Sequence, residues 1–202
     1  QIKKKKSDYI RFGSFNNSRK LNDECIKFFS KIIKEIPNSQ IIIKSITFIE
    51  IEEKNRIYDA FINAGLDKGQ IIMLDWIEST KAHMELYEWI DIALDPFPYG
   101  GATTTAEALW MGVPVITLAG NGMVGRLSSS LLTSASCKEF IARDLKEYLD
   151  IAKRLAFQGP RGIENRLKLR EKVTQSSLPN GRRIASQIEK HILKKMDLLG
   201  LT

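Results

Sequence analysis

Apolar positions along this chain fall into two alternating patterns. Ile10 to Phe15 and Gln40 to Lys44 are short apolar runs of strand length, and between them Asn22 to Ile36 places apolar residues at helical spacing until Pro37 and Asn38 close the segment. That is a β-α-β unit. The alternation continues with a helix near Glu50 to Ala64 ended by Gly65, a strand at Gln70 to Leu74 and a helix near Thr80 to Trp89. Asp91 to Leu94 and Pro114 to Leu118 are further strands, separated by a helix over Thr104 to Met111 that stops at Gly112 and Pro114. Because strand–crossover–strand connections are right-handed, this order predicts an α/β fold with a doubly wound parallel sheet. Beyond Cys137 the strand signal fades and three helical stretches remain, Ala142 to Ala156, Ile163 to Thr174 and Gly181 to Leu198. They are punctuated at Gln158-Gly159-Pro160 and at Ser176 to Gly181. The tail is expected to be all helical.

Composition narrows the class without choosing a function. A length of 202 residues suits one domain. With 43% hydrophobic and 27% charged residues, the chain has no apolar run near the roughly 20 residues of a membrane helix, so no span is expected. The lysine run within Gln1 to Ser7 has no apolar stretch after it and does not read as a secretory signal. Without an initiator methionine the chain is expected to be an excised piece. Cys25 and Cys137 are far apart and form no CxxC, which argues against a zinc site or disulfide framework and for a reducing, cytoplasmic setting. A net charge of +7 favours anionic partners, whether nucleic acid, anionic lipid or a diphosphate. Much of it sits in Lys3 to Lys6 and the C-terminal third, where solvated helix faces explain it, and no nucleic-acid motif accompanies it.

The most informative stretch is DIALDPFPYGGATTTAEALWMG, Asp91 to Gly112, which sets Gly100-Gly101 and Thr103 to Thr105 between a strand end and a helix start. Glycines allow close backbone approach, first-turn N–H groups lack intrahelical partners, and the helix dipole favours negative charge there. A phosphate fits this pattern, and so does plain N-capping by Thr103 or Thr104. Neither GxxxxGK[ST] nor GxGxxG is present. Asp95, at the strand's carboxyl end, suits either a loop-orienting or a ligand-facing role. Trp110, Trp89, Tyr87 and Phe97 lie in apolar-periodic segments and read as core, with Phe97 to Tyr99 as candidate lining of a sugar pocket. His191 reads as a surface residue.

The run FPYGGATTTAEALWMGVPVITLAG, followed by Arg126 and by Ser128 to Leu132, resembles the C-terminal catalytic half of O-GlcNAc transferase-like and SPINDLY-like glycosyltransferases. The likeness extends through FGSFNNSRKLND, IPNSQIIIKS, QIIMLDWIESTKAHMELYEWIDIALD and CKEFIARDLKEYLDIA, in order and over most of the chain. It implies the C-terminal, donor-binding half of a two-Rossmann glycosyltransferase type B fold. The corresponding division is a basic segment at 1–8, a Rossmann-like nucleotide-sugar domain at 9–140 and helices packing on it at 141–202.

By motif position the resemblance gives Lys20 contact with the donor diphosphate, a task suited to a compact charge on a flexible stem, with Asn17 beside it. It gives His83 packing against the base, Gly101, Thr103, Thr104 and Thr105 the phosphates, and Glu107 acceptance from the ribose hydroxyls. Ala102 stands where animal members have histidine, and Thr80 where a basic residue contacts the nucleotide. The donor is left among UDP-N-acetylglucosamine, UDP-glucose and GDP-fucose, the first being preferred. The implied reaction is inverting and metal-independent, with no cofactor, and delivers the sugar to a protein side chain. Acceptor contacts, and helical repeats of the TPR kind, would come from an upstream half, so this piece alone is expected to bind donor without appreciable transfer. Two other classes remain at this point: a noncatalytic nucleotide-sugar-binding or regulatory module, and a basic nucleic-acid binder.

Overall fold

A computed structural model describes residues 8–158 and 162–200, so the lysine run at 1–7 and the Gly159-Pro160 break lie outside the described residues. Six parallel strands form one sheet in the order β3-β2-β1-β4-β5-β6. They are β1 (Ile10–Ser14), β2 (Ser39–Lys44), β3 (Ile71–Leu74), β4 (Ile92–Leu94), β5 (Val115–Leu118) and β6 (Ile141–Ala142). This is the doubly wound Rossmann order, with the reversal of direction between β1 and β4.

The sheet is so apolar because helices cover both its faces. In β2, for instance, Ile41, Ile42 and Ile43 are all buried. The first helix, α1 (Asp23–Glu35), starts where Asn22 accepts from the Cys25 amide at 2.8 Å and carries Asp23 and Glu24 at its positive end. It buries Cys25, Ile26, Phe28, Phe29, Ile32 and Ile33 on one stripe. Next come α2 (Ile51–Asn63), α3 (Thr80–Glu85) and α4 (Thr103–Trp110). The helix expected over Thr80 to Trp89 is divided, its second half being a 3-10 segment at Leu86–Trp89.

Two elements escape the apolar pattern. Helix α5 (Met123–Ser134) turns Gly125, Ser128 and Leu132 inward, a face at helical spacing that is mostly small or polar and so carries little hydrophobic signal. Gly125 allows the close approach, since a Cβ there would lie 3.0 Å from Gly120 Cα and from the Pro98 carbonyl oxygen. The edge strand β6 corrects the expectation of an all-helical tail. Its two residues pair with Thr117 and Leu118, and so short a strand has no periodicity to detect.

After β6 come α6 (Leu145–Phe157), α7 (Ile163–Thr174) and α8 (Gly181–Leu198). Helix α6 buries Tyr148, Leu149, Ile151, Ala152, Leu155 and Ala156, and α7 buries Arg166, Leu169 and Val173. Helix α8 buries no residue, and its Ile184, Ile188 and Ile192 are about half exposed. Among the described residues no helix is long and apolar enough to cross a membrane.

Candidate functional site

The reversal between β1 and β4 opens a crevice at their carboxyl ends, and the loops leaving those ends carry most of the sequence's candidates. After β1, Asn17 caps a single 3-10 turn, Ser18–Lys20, its Oδ1 accepting from the Arg19 amide at 3.0 Å. The turn is braced by Ser18, whose amide donates to Ser45 Oγ at 2.9 Å and whose hydroxyl meets Thr47 Oγ1 at 2.6 Å and Glu53. Lys20 therefore leaves a fixed backbone. Its Nζ donates to the Gly100 carbonyl at 2.9 Å and lies 4.2 Å from the centre of the Tyr99 ring. Burial pulls its pKa below that of an ordinary lysine, against the opposing charge of Asp95.

After β4, Asp95 is buried and holds the glycine loop from behind. Its Oδ1 accepts from the Gly101 amide at 2.6 Å and its Oδ2 from the Thr117 hydroxyl at 2.7 Å. Ser128 on α5 donates to the Gly101 carbonyl at 2.9 Å, and Tyr148 on α6 donates to the Asp95 carbonyl at 3.1 Å. Burial pushes the Asp95 carboxyl above the ordinary carboxylate value, opposed by Ser128, Thr117, the Gly101 amide and the Lys20 charge. Of the two roles the sequence left open for Asp95, the structure selects loop orientation. The glycines are a packing requirement: a Cβ on Gly100 would lie 2.7 Å from Asp95 Oδ2, and one on Gly101 2.6 Å from Thr104 Oγ1. With its amide committed to Asp95, Gly101 serves by close approach.

Helix α4 then starts without a side-chain cap, because the N-cap position is Ala102. Thr103 and Thr104 lie inside the first turn, so the capping alternative does not hold for either. Their hydroxyls have separate surroundings. Thr103 is exposed, Thr104 donates to Asn16 Oδ1 at 2.9 Å, and Thr105 is buried with its hydroxyl 2.9 Å from Ser128 Oγ. The first-turn amides of an α-helix have no intrahelical acceptor, and here no side chain caps them.

On the other flank, His83 Nε2 meets Glu107 Oε2 at 3.0 Å. Tyr87 donates to the same oxygen at 3.1 Å and to the Thr104 carbonyl at 3.3 Å. Both side-chain bonds arrive at Oε2, leaving Oε1 for a further donor. The His83 ring stands edge-on to Tyr87 at 5.6 Å and near Phe15 at 6.2 Å. Burial pushes the Glu107 carboxyl up, but the bond and charge of His83, the Tyr87 hydroxyl and the Lys44 charge together bring it below the ordinary value. Lys44 ends β2 almost wholly buried, 4.5 Å from the centre of the Trp76 ring, with its pKa lowered by burial and supported by Glu107.

Asn16, Lys44, Trp76, Tyr87 and Ser128 were not picked out as site residues from sequence. Lys44 alone had a signal, a charge closing an otherwise apolar strand. One aromatic reading changes and one is narrowed. Trp110 is 40% exposed at the end of α4, with the Arg170 guanidinium 4.4 Å from its ring centre, so it is not core. Phe97 is buried against Phe28, Phe29 and Tyr148, which leaves Tyr99, 46% exposed beneath Lys20, as the aromatic at the rim. Tyr87 is core and His191 is exposed, as read.

The sequence model of glycosyl transferase family 41 matches residues 3–188. Over 181 residues the chain is 33% identical to the "Probable UDP-N-acetylglucosamine--peptide N-acetylglucosaminyltransferase SPINDLY" of Solanum lycopersicum, covering 90% of this chain and 19% of that protein. A solved O-GlcNAc transferase variant of Thermobaculum terrenum is 33% identical with a TM-score of 0.74, covering 86% of this chain and 32% of the other. The C-terminal CMP-Kdo binding domain of WaaA from Acinetobacter baumannii shares the fold at 11% identity and TM-score 0.54, over 83% of this chain and 88% of that domain. The chain thus spans about a fifth of the curated relative and about a third of the solved one.

Proposed function

The chain belongs to glycosyl transferase family 41, and from that premise we propose that it is the donor-binding half of an inverting glycosyltransferase that moves a sugar from a nucleotide diphosphate to a protein side chain. The observation that carries this reading is the convergence of Lys20 with the uncapped start of α4. An ammonium held by the β1 loop reaches the glycine loop that precedes a row of first-turn amides. A diphosphate seated there meets a fixed positive charge, helix N–H groups and the exposed Thr103 hydroxyl.

The rest of the nucleotide follows from the other flank. Glu107 Oε1 accepts from the ribose hydroxyls while Oε2 stays with His83 and Tyr87, and the His83 ring packs against the base. As an acceptor hydroxyl or amide nitrogen attacks the sugar's C1 from the face opposite the diphosphate, the C1–O bond breaks with inversion, the nucleoside diphosphate leaves with the bonding electron pair, and the proton lost by the acceptor passes to solvent. Lys20 and the α4 amides stabilise the charge that develops on this leaving group, an electrostatic contribution of several kcal/mol on the scale of about 3 for one such donor. This role needs neither metal nor cofactor. N-acetylglucosamine from UDP-N-acetylglucosamine is the preferred sugar because the tomato relative is named for that transfer. The acceptor side and its recognition are assigned to chain upstream of this domain.

Calorimetric titration of the chain with UDP, GDP and UDP-N-acetylglucosamine tests the reading. UDP binding that is stronger than GDP binding and lost in the Lys20→Ala, His83→Ala double variant is the expected result. Binding of neither nucleotide, by this chain or by one that includes the upstream half, overturns it.

A further inference from the structure

Helix α7 buries three residues at i, i+3 and i+7, and the first of them is an arginine where the stripe calls for an apolar residue. Among the described residues Arg166 is the largest fully buried side chain, with 0% relative exposure. Taking a guanidinium out of water is costly unless its donors are satisfied. Its Nη1 donates to the Tyr87 carbonyl at 2.9 Å and its Nη2 to the Ile90 carbonyl. These carbonyls lie at the end of the 3-10 segment that follows α3, where a helix leaves its acceptors without internal partners.

A guanidinium presents its N–H groups in a rigid planar fork, so engaging both carbonyls fixes the orientation of the 87–90 backbone. The Tyr87 ring leaves from that backbone and carries its hydroxyl to Glu107 Oε2 and to the Thr104 carbonyl. The Arg166 backbone is also seated against the end of α4. Gly112 follows that helix with φ +71°, and a Cβ there would lie 2.4 Å from the Arg166 carbonyl oxygen. One residue thus registers both the Tyr87 turn and α4. The diphosphate side is braced by other groups, Ser18, Asp95 and Ser128.

We propose that Arg166 is a positioning residue for the nucleoside side of the donor site, acting through the turn that carries Tyr87 to Glu107, so that α7 is functionally part of that site. This rests on the donor-half reading above. Displacement of the fork would shift the Tyr87 hydroxyl away from Glu107 Oε2 and the Thr104 carbonyl.

The test is calorimetry on the 202-residue chain with UDP and with inorganic pyrophosphate, for the unaltered protein, Arg166→Lys, Tyr87→Phe and the double variant. Arg166→Lys keeps the charge and loses the fork. We expect it to weaken UDP about tenfold and pyrophosphate less than about twofold, and to add little once Tyr87 is already phenylalanine, since residues acting through one contact are non-additive. Equal weakening of both ligands, or full additivity with Tyr87→Phe, overturns the proposal. Should Arg166→Lys not fold, hydrogen exchange on the unaltered chain decides. UDP, and not pyrophosphate, should slow exchange across α7, and protection of α4 without α7 overturns the proposal. If the unaltered chain and its longer form bind neither UDP nor pyrophosphate, the donor-half reading itself falls and takes this proposal with it.

Discussion

His83 Nε2 lies 3.0 Å from Glu107 Oε2, joining the helix after β3 to the helix after β4. The side chain assigned to the base and the side chain assigned to the ribose are therefore one hydrogen-bonded unit. Tyr87 donates to the same oxygen and ties the unit to the backbone of Thr104. On the proposed reading this unit serves the nucleoside, while the groups that brace the diphosphate side, Ser18, Asp95 and Ser128, are separate from it.

Removing the carboxylate should unmake that unit. Glu107→Ala removes the oxygen that His83 and the Tyr87 hydroxyl share, leaving Tyr87 only the Thr104 carbonyl, and takes away the second oxygen, and a charged hydrogen bond of this type is worth about 1.5–3 kcal/mol. UDP affinity should fall roughly ten- to a hundredfold. Glu107→Gln, which retains one acceptor, should lie between the variant and the unaltered chain. Calorimetric titration measures both, and an unchanged affinity in Glu107→Ala would remove the ribose assignment.

Lys20 predicts the pH dependence of binding. Burial lowers its pKa in the free protein, and a bound diphosphate stabilises the ammonium and raises it again, so binding takes up protons on the alkaline side. Affinity should be full below the lowered value and fall as pH rises through it, earlier than the titration of an exposed lysine near about 10.4. Lys20→Arg should abolish the alkaline decline, because a guanidinium does not titrate in that range. Titrations between neutral and alkaline pH give the profile, and a decline of the same size in Lys20→Arg would assign it to another group.

Gly101→Ala should close the phosphate seat. Its new methyl would lie 2.6 Å from Thr104 Oγ1, 2.8 Å from Thr105 Oγ1 and 2.9 Å from Asp95 Oδ1, three groups that are themselves hydrogen-bonded. Overpacking of this kind costs about 1–3 kcal/mol. Lower thermal stability together with lost UDP binding is expected, and retention of both would show that the loop relaxes.

Asp95→Ala tests the brace behind that loop. The Gly101 amide and the Thr117 hydroxyl would both lose their acceptor in a buried place, at roughly 1–3 kcal/mol each. Urea denaturation should show a drop in stability at neutral pH. Because the folded-state pKa of Asp95 is raised, its ionised form is disfavoured by folding, and that penalty is present above the raised value and relieved as pH falls through it toward the unfolded value. The stability difference between the unaltered chain and Asp95→Ala should therefore grow as pH is lowered through that window.

Legibility in the sequence followed the size and regularity of the buried apolar face. Helix α1 buries six large or sulfur-bearing side chains on one stripe and was read to within a residue at each end. Helix α5 buries Gly125, Ser128 and Leu132, and went unread because close backbone contact, rather than apolar area, holds it in place. The site shows the same division. The glycine pair lies in the loop after a strand end and the threonines in the helix turn that follows it, where position itself carries meaning, while Lys20, in the 3-10 turn after β1, was singled out through the family resemblance. Lys44, Tyr87 and Arg166 resemble ordinary members of their helices and strands until their partners are seen.

What the sequence by itself determined is the layered architecture, which follows from the local rules of periodicity and right-handed crossovers, and it marked the glycine-threonine turn as a candidate anion seat through the free amides of a helix start. What only the tertiary structure decided is which groups act together. That Ala102, and no threonine, occupies the N-cap leaves the first turn of α4 without a side-chain cap. That Asp95 faces the Gly101 amide makes it a brace, and that Arg166 reaches 79 residues back along the chain ties α7 to the Tyr87 turn. The physical reason is that a hydrogen bond is a relation of a few ångströms in space. Local rules fix where each element begins and ends, while the packing of elements distant in sequence fixes which donor meets which acceptor.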